Sequence, residues 1–333
     1  VIGLNNKKKI IDLSLGDRIN QVFYIKEAEF RLRRDGRAVD GFLKISDSSG
    51  EIEAVYWDIA DKKLKQIEKM QFAQIEGQVS KKKSGGQMQL SIKSIGEAPD
   101  SSLEGLIPST KLDIEQLMQD IDSKIATIKN QYLRELLLSF FGDPILRERF
   151  KKAPAAKKLH QAYRGGLAEH TLNVSRICES ICHIYPQVNR DFLISAALLH
   201  DIGKIEEYQL DGIIEHTDEG KLIGHIVIGT EMVTEKIKQI KDFPEDLAIM
   251  FKHALLSHHG KFEFGSPKLP SILPAIALFY ADDTDAKLNG IVSLKEQNKD
   301  IDKKWSERVW WLDRPIYMAE HNIIEESTED LAE

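Results

Sequence analysis

Between Asn20 and Glu97, apolar and polar residues alternate with a period of two in five runs: Gln21 to Leu32, Gly41 to Ser46, Glu51 to Trp57, Phe72 to Val79 and Gln87 to Ile95. Such alternation sends successive side chains to opposite faces, so it predicts five half-buried strands. One segment between the third and fourth runs, Ile59 to Met70, has helical spacing instead. Turn residues stand at the joints, in Arg34-Asp35-Gly36, Asp47-Ser48-Ser49-Gly50 and Ser84-Gly85-Gly86. Five strands with one helix between the third and fourth is the order of an OB-fold β-barrel. Residues 1–98 are therefore expected to form an OB-fold nucleic-acid-binding domain.

Pro99 to Pro108 is rich in Pro, Ser, Gly and acidic residues, which places a linker at 99–110. Beyond it the period lengthens to that of a helix. Leu112 to Ile128 and Tyr132 to Phe141 read as helices. Asp143-Pro144 opens another, since Asp caps free N–H groups and Pro fits a first turn. Apolar helices follow from Gly165 through Ile181 and from Phe192 to Leu199, and helical spacing continues to about Trp311 with no strand pattern. An all-α bundle is thus expected over 111–315, followed by an acidic tail at 316–333 that contains Glu325-Glu326-Ser327-Thr328-Glu329-Asp330.

The chain has 333 residues, 42% hydrophobic and 30% charged, enough for two ordinary cores. Its longest apolar runs, such as Ile272 to Ala281, fall short of the roughly 20 residues a membrane helix needs. The first twenty residues carry Lys7-Lys8-Lys9 but no signal-peptide core. No membrane partner is expected, and the cytoplasm is the expected location. The net charge of −7 argues against nucleic acid only until it is divided. Residues 1–100 hold 18 Lys+Arg against 15 Asp+Glu, which leaves 28 against 38 for the rest, so the barrel region is mildly basic. Cys178 and Cys182, four residues apart on one helix face, read as buried free thiols.

Metal-binding side chains recur in order along the C-terminal half: His170, the pair His200-Asp201, His225, the pair His258-His259, and Asp282. Packing accounts for single histidines. It does not account for a His-Asp pair inside Leu198-Leu199-His200-Asp201-Ile202-Gly203-Lys204, because a carboxylate at the end of an apolar run is costly to bury without a compensating cation. Spacings of about 25 to 35 residues, roughly one helix and loop, suit ligands that point inward from successive helices. Imidazole with carboxylate and no thiolate favours Mn, Fe, Co, Ni or Zn over Mg or Ca.

The ordered positions from His160 to Leu288, closing on Ala281-Asp282-Asp283-Thr284-Asp285-Ala286-Lys287, resemble the HD-domain superfamily of metal-dependent phosphohydrolases. That resemblance implies one metal held by His170, His200, Asp201 and Asp282, with Asp201 bridging, and a second held with His225, His258 and His259. Asp282 is preferred to Asp283 because the family's aspartate directly follows the small residue, here Ala281, and Asp285 is assigned to capping or orienting. Lys204 would add positive charge at the scissile phosphate and joins Asp201 as a catalytic candidate.

An OB-fold followed by an HD domain, with Gly165-Gly166 before the first ligand, Leu222-Ile223-Gly224-His225, and the run Leu256-Ser257-His258-His259-Gly260-Lys261-Phe262-Glu263-Phe264-Gly265-Ser266-Pro267, is similar to the YhaM-type 3′-to-5′ exoribonucleases. The similarity implies hydrolysis of single-stranded RNA, with single-stranded DNA a second candidate, by a metal-activated water with two ions, of which Mn is the family's usual choice. A homo-oligomer is compatible with it. Two other readings are an HD phosphohydrolase acting on nucleotides, and a single-strand-binding factor with a vestigial centre. In the barrel, strand contact is expected from Arg31, Arg33, Arg34 and Arg37 in and beside the first loop, from Lys81, Lys82 and Lys83 in and beside the last, and from Phe42 and Lys44 on the second strand. Trp57 is expected in the barrel core.

Overall fold

The structure, a computed structural model, describes residues 8–33, 36, 38–47, 49–68, 70–82, 87–99, 106, 109–157, 161–210, 214–297 and 304–319. Five strands, β1 (Arg18–Leu32), β2 (Val39–Asp47), β3 (Gly50–Ile59), β4 (Phe72–Lys81) and β5 (Met88–Glu97), close a barrel in the order β1-β2-β3-β5-β4. All pairings are antiparallel except β3 with β5. The helix α1 (Asp61–Ile67) lies between β3 and β4, so the OB-fold expectation holds. That helix is shorter than its periodicity suggested, because Ile59 stays in β3 opposite Val39. Phe23, Ile45, Ile75 and Leu90 fill the interior.

One strand residue departs from expectation. Trp57 is 48% exposed rather than in the core. Between the pairs Val39↔Ile59 and Gly41↔Tyr56, β3 carries two residues where β2 carries one, a β-bulge with Asp58 at φ 56°. Trp57 keeps the outward face of Glu51 and Glu53, and the extra residue after it returns Ile59 to the interior.

Ten helices are described beyond the barrel: α2 (Ile114–Ala126), α3 (Gln131–Phe141), α4 (Pro144–Lys152), α5 (Gly166–Ile184), α6 (Arg190–Leu199), α7 (Lys204–Glu207), α8 (Asp218–Leu222), α9 (His225–Gln239), α10 (Glu245–Ser257) and α11 (Leu273–Gln297). Asp113, Asn130 and Asp143 cap α2, α3 and α4 with side-chain oxygens, and Pro144 occupies the first turn of α4. Helix α5 packs on α6 and α11, and α10 packs on α9, α11 and α6, around a second core that includes Met118, Phe140, Leu193 and Phe251.

Helix α11 is described to Gln297, and the helical pattern expected up to Trp311 does not hold over 304–311. Residues 304–319 form a turn bridged by Trp305↔Tyr317 and Val309↔Arg314, with Asp313 at φ 56°. The expected boundary at 315 falls inside that paired turn, and most of the expected linker and tail lies outside the described residues. Among the described residues no helix is long and apolar enough to cross a membrane. Cys178 is buried and Cys182 only partly so, and both are free.

Candidate metal centre

Helix ends build the centre. His200 caps the C-terminal end of α6 and His258 that of α10, each followed directly by the next candidate, Asp201 or His259. Both ends direct partial negative charge at the same place, which favours a cation there. His225 opens α9, His170 lies near the start of α5, and Asp282 projects from α11. Helix α6 does not continue to Lys204: a turn over Asp201 to Gly203 separates it from α7. Gly203 is needed in that turn, because a Cβ on it would lie 2.1 Å from the His225 carbonyl oxygen.

The side chains form two groups that share Asp201. In the first, His170 Nε2 lies 3.3 Å from His200 Nε2, 3.1 Å from Asp282 Oδ1 and 3.5 Å from Asp201 Oδ2. In the second, Asp201 Oδ1 lies 3.3 Å from His225 Nε2 and 3.5 Å from His258 Nε2, and His259 joins them, with all ligand atoms within 4.8 Å of one another. Asp283 is held elsewhere, by Lys287 Nζ at 2.6 Å.

Each of the five imidazoles is fixed by its other nitrogen. Nδ1 of His200, His258 and His259 donates to the carbonyls of Ala197, Leu255 and Phe264, at 2.8, 2.6 and 2.8 Å. Nδ1 of His170 donates to Asp285 at 2.7 Å and that of His225 to Glu207 at 3.0 Å. A carbonyl or carboxylate only accepts, so in the neutral ring Nε2 keeps a lone pair for the centre. Asp201 Oδ1, His225 Nε2 and His258 Nε2 are buried without a hydrogen-bond partner. Orphaned buried groups of this kind are costly, and a divalent cation would satisfy all three at once, so the residues fit a metal.

Protonation agrees. Burial pushes His225, His258 and His259 down, His259 to about 4 with His258 adding to the effect. Burial opposes ionisation of Asp201, yet Lys204 Nζ, 2.6 Å away, and His200 hold it well below the usual carboxylate range. His170 and His200 do the same for Asp282. His170 moves the other way: burial would lower it, but Asp201, Asp282 and Asp285 raise it well above an ordinary imidazole. Three carboxylates around one ring call for positive charge.

A model of the HD domain matches residues 167–287, which span all seven candidate ligands. A 3′-5′ exoribonuclease YhaM of Listeria monocytogenes is 31% identical over 315 residues, covering 92% of this chain and 96% of that protein. The chain belongs to the YhaM family of 3′-5′ exoribonucleases. A second YhaM, from Bacillus velezensis, is 31% identical over 288 residues, 84% of this chain and 88% of that protein. Among solved structures, the second OB-fold domain of replication protein A from Methanococcus maripaludis is 22% identical, covering 28% of this chain and 95% of its own, at a TM-score of 0.22. At that score the barrel's class rests on its own strand order. The chain is an enzyme of the HD class, and a divalent metal is its cofactor.

Four of the cations expected to touch a strand in this YhaM-family barrel already have partners. Arg31 meets Glu29 at 2.8 Å, Arg33 meets Asp40 and Asp58, Lys44 meets Glu51 at 2.7 Å and Lys82 meets Glu53 at 2.5 Å. Phe42 lies on the outer face, with the Arg31 guanidinium 5.0 Å from its ring centre and Trp57 edge-on at 6.0 Å. Lys81 is exposed at the end of β4. Arg34, Arg37 and Lys83 lie outside the described residues.

Glu207 escaped the sequence reading of this YhaM-family centre. It is buried, and besides the His225 ring it accepts from the His225 backbone N–H at 3.1 Å. The only signal was an acid set between Ile205 and Tyr208, a few residues after the His-Asp pair.

Proposed function

We propose that this chain removes nucleotides from the 3′ end of single-stranded RNA by metal-dependent hydrolysis, with single-stranded DNA as a second substrate. The observation that carries the reading is the pair of ligand groups sharing one carboxylate, Asp201, within a chain of this family. His170, His200, Asp201 and Asp282 hold one ion, and Asp201, His225, His258 and His259 hold the second, with Mn the expected metal. Two such ions, when bound, lower the pKa of a water and neutralise charge on the phosphoryl oxygens. Lys204, buried against Asp201, keeps that carboxylate ionised and supplies a fixed positive charge beside the reacting phosphate.

The barrel, 1–98, guides unpaired nucleotides through the exposed side chains of β1 and β2 and the loops that follow β1 and β4, and the helical region, 111–315, hydrolyses them in the cytoplasm. A duplex would have to melt first, at about 1.4 kcal/mol per stacked step on the DNA scale. Incubation of the Mn-loaded protein with 5′-labelled RNA carrying a hairpin should give a ladder that shortens progressively and pauses at the stem. Cleavage of circular RNA would overturn the exonuclease reading.

A further inference from the structure

We propose that the single-turn 3₁₀ helix Phe262–Phe264 is a nucleobase platform at the mouth of the metal centre, on which the base next to the scissile phosphate stacks. The inference rests on reading the centre as a nuclease site and adds the residues that grip the base.

The centre opens on one side. The side chains of His170, His200 and His258 have no exposure, whereas those of His225 and Asp282 keep 13% and 14%, and His259 is only half-buried. His259 is tied to the platform, because its Nδ1 donates to the Phe264 carbonyl. A nucleotide whose phosphate reaches His259 therefore brings its base toward the turn that carries Phe262 and Phe264. Those two rings are 63% and 48% exposed.

The turn that holds them is built rather than loose. Phe264 and Gly265 N–H donate to the carbonyls of Lys261 and Phe262, and the buried Ser266 hydroxyl lies within hydrogen-bonding distance of the carbonyls of Leu256 and Lys268. Gly260, at φ 72°, lies so near the Phe279 ring that a Cβ would approach it to 2.2 Å, which locks the turn onto α11. A preordered aromatic surface binds a base at little entropic cost. Lys261 Nζ lies over one face of the Phe264 ring, 5.0 Å from its centre, which leaves Phe262 and the other face of Phe264 for a base and puts a cation at the platform for the flanking phosphate.

The test pairs a change in the protein with a change in the substrate. Oligoribonucleotides ending in an ordinary nucleotide or an abasic residue are cleaved by the wild type and by Phe262→Ala, Phe264→Ala and the double variant, with metal content and circular dichroism checked throughout. The wild type should prefer the base-bearing end by roughly 5- to 150-fold in kcat/KM, the range that base–aromatic stacking supplies. The double variant should lose most of that preference while cleaving the abasic end as the wild type does. A preference that survives in the double variant overturns the proposal, as does an equal loss on both substrates. Quenching of a 3′-terminal 2-aminopurine on binding gives a readout independent of cleavage. If the wild type cleaves no 3′ end, the nuclease reading fails, while loss or persistence of the quench in the double variant still decides the platform.

Discussion

In the metal centre Asp201 Oδ1, His225 Nε2 and His258 Nε2 are buried with nothing to bond to, whereas on the barrel Arg31, Arg33, Lys44 and Lys82 each lie against a carboxylate. Both regions are rich in charge, and they resolve it in opposite ways. The buried set is stable only if something outside the chain completes it, because an unsatisfied group away from water costs ~1–3 kcal/mol and a charged one more. Apart from Arg33, which grips the buried Asp40 through two hydrogen bonds, these surface pairs contribute little and can be exchanged for a phosphate at small expense. The centre is therefore committed to its ligand, and the barrel is free to take or release a strand.

The hardest test of this contrast is Asp201→Ala, which removes the shared carboxylate. Cleavage should fall on the order of a thousandfold or more, with metal content reduced, while binding of single strands measured by fluorescence anisotropy stays within about twofold. A variant that keeps its metal and more than a few per cent of its activity would show that the two groups do not depend on Asp201. Asp285→Asn and Glu207→Gln come next: each withdraws the charge behind one imidazole and should weaken metal binding roughly 10- to 100-fold by calorimetry. Equal wild-type affinity in both would mean that the carbonyl-backed rings alone set the site. Metal removal itself should lower the melting temperature by roughly 5–10 °C when the metal had stood near a hundred times its Kd. The smallest effects belong to the barrel. Replacing Lys81, Lys82 and Lys83 by Ala should reduce the salt slope of strand binding by about 0.7 for each lost phosphate contact. Conversely Glu53→Gln, by releasing Lys82, should tighten binding by roughly two- to fivefold. If Glu53→Gln changes nothing, Lys82 does not touch the strand.

The sequence made the five strands legible because one face of each is buried and its alternation survives into composition. It failed at Trp57, which shares the outward face of Glu51 and Glu53: a large aromatic suggests core by its type, and only its place in the alternation says otherwise. It failed again at 304–319, where bridged turns have no period to read. The ordered ligands were visible because a His-Asp pair has little packing reason to exist. Their supports were visible only in part: Asp285 lies one turn after Asp282 on the same helix, while Glu207 reaches His225 across 18 residues of chain. A carboxylate whose function depends on such a contact looks in sequence like any surface acid.

His200 and His258 each use one ring nitrogen to occupy a carbonyl that the last turn of α6 or α10 would otherwise leave open. The centre is consequently a splice between helix ends. Backbone amides in the final turns of α6 and α10 should exchange with deuterium slowly in the loaded enzyme and much faster once the metal is withdrawn, while the barrel's strands keep their protection. Metal status would then be readable as local opening in the bundle well below the temperature at which anything unfolds.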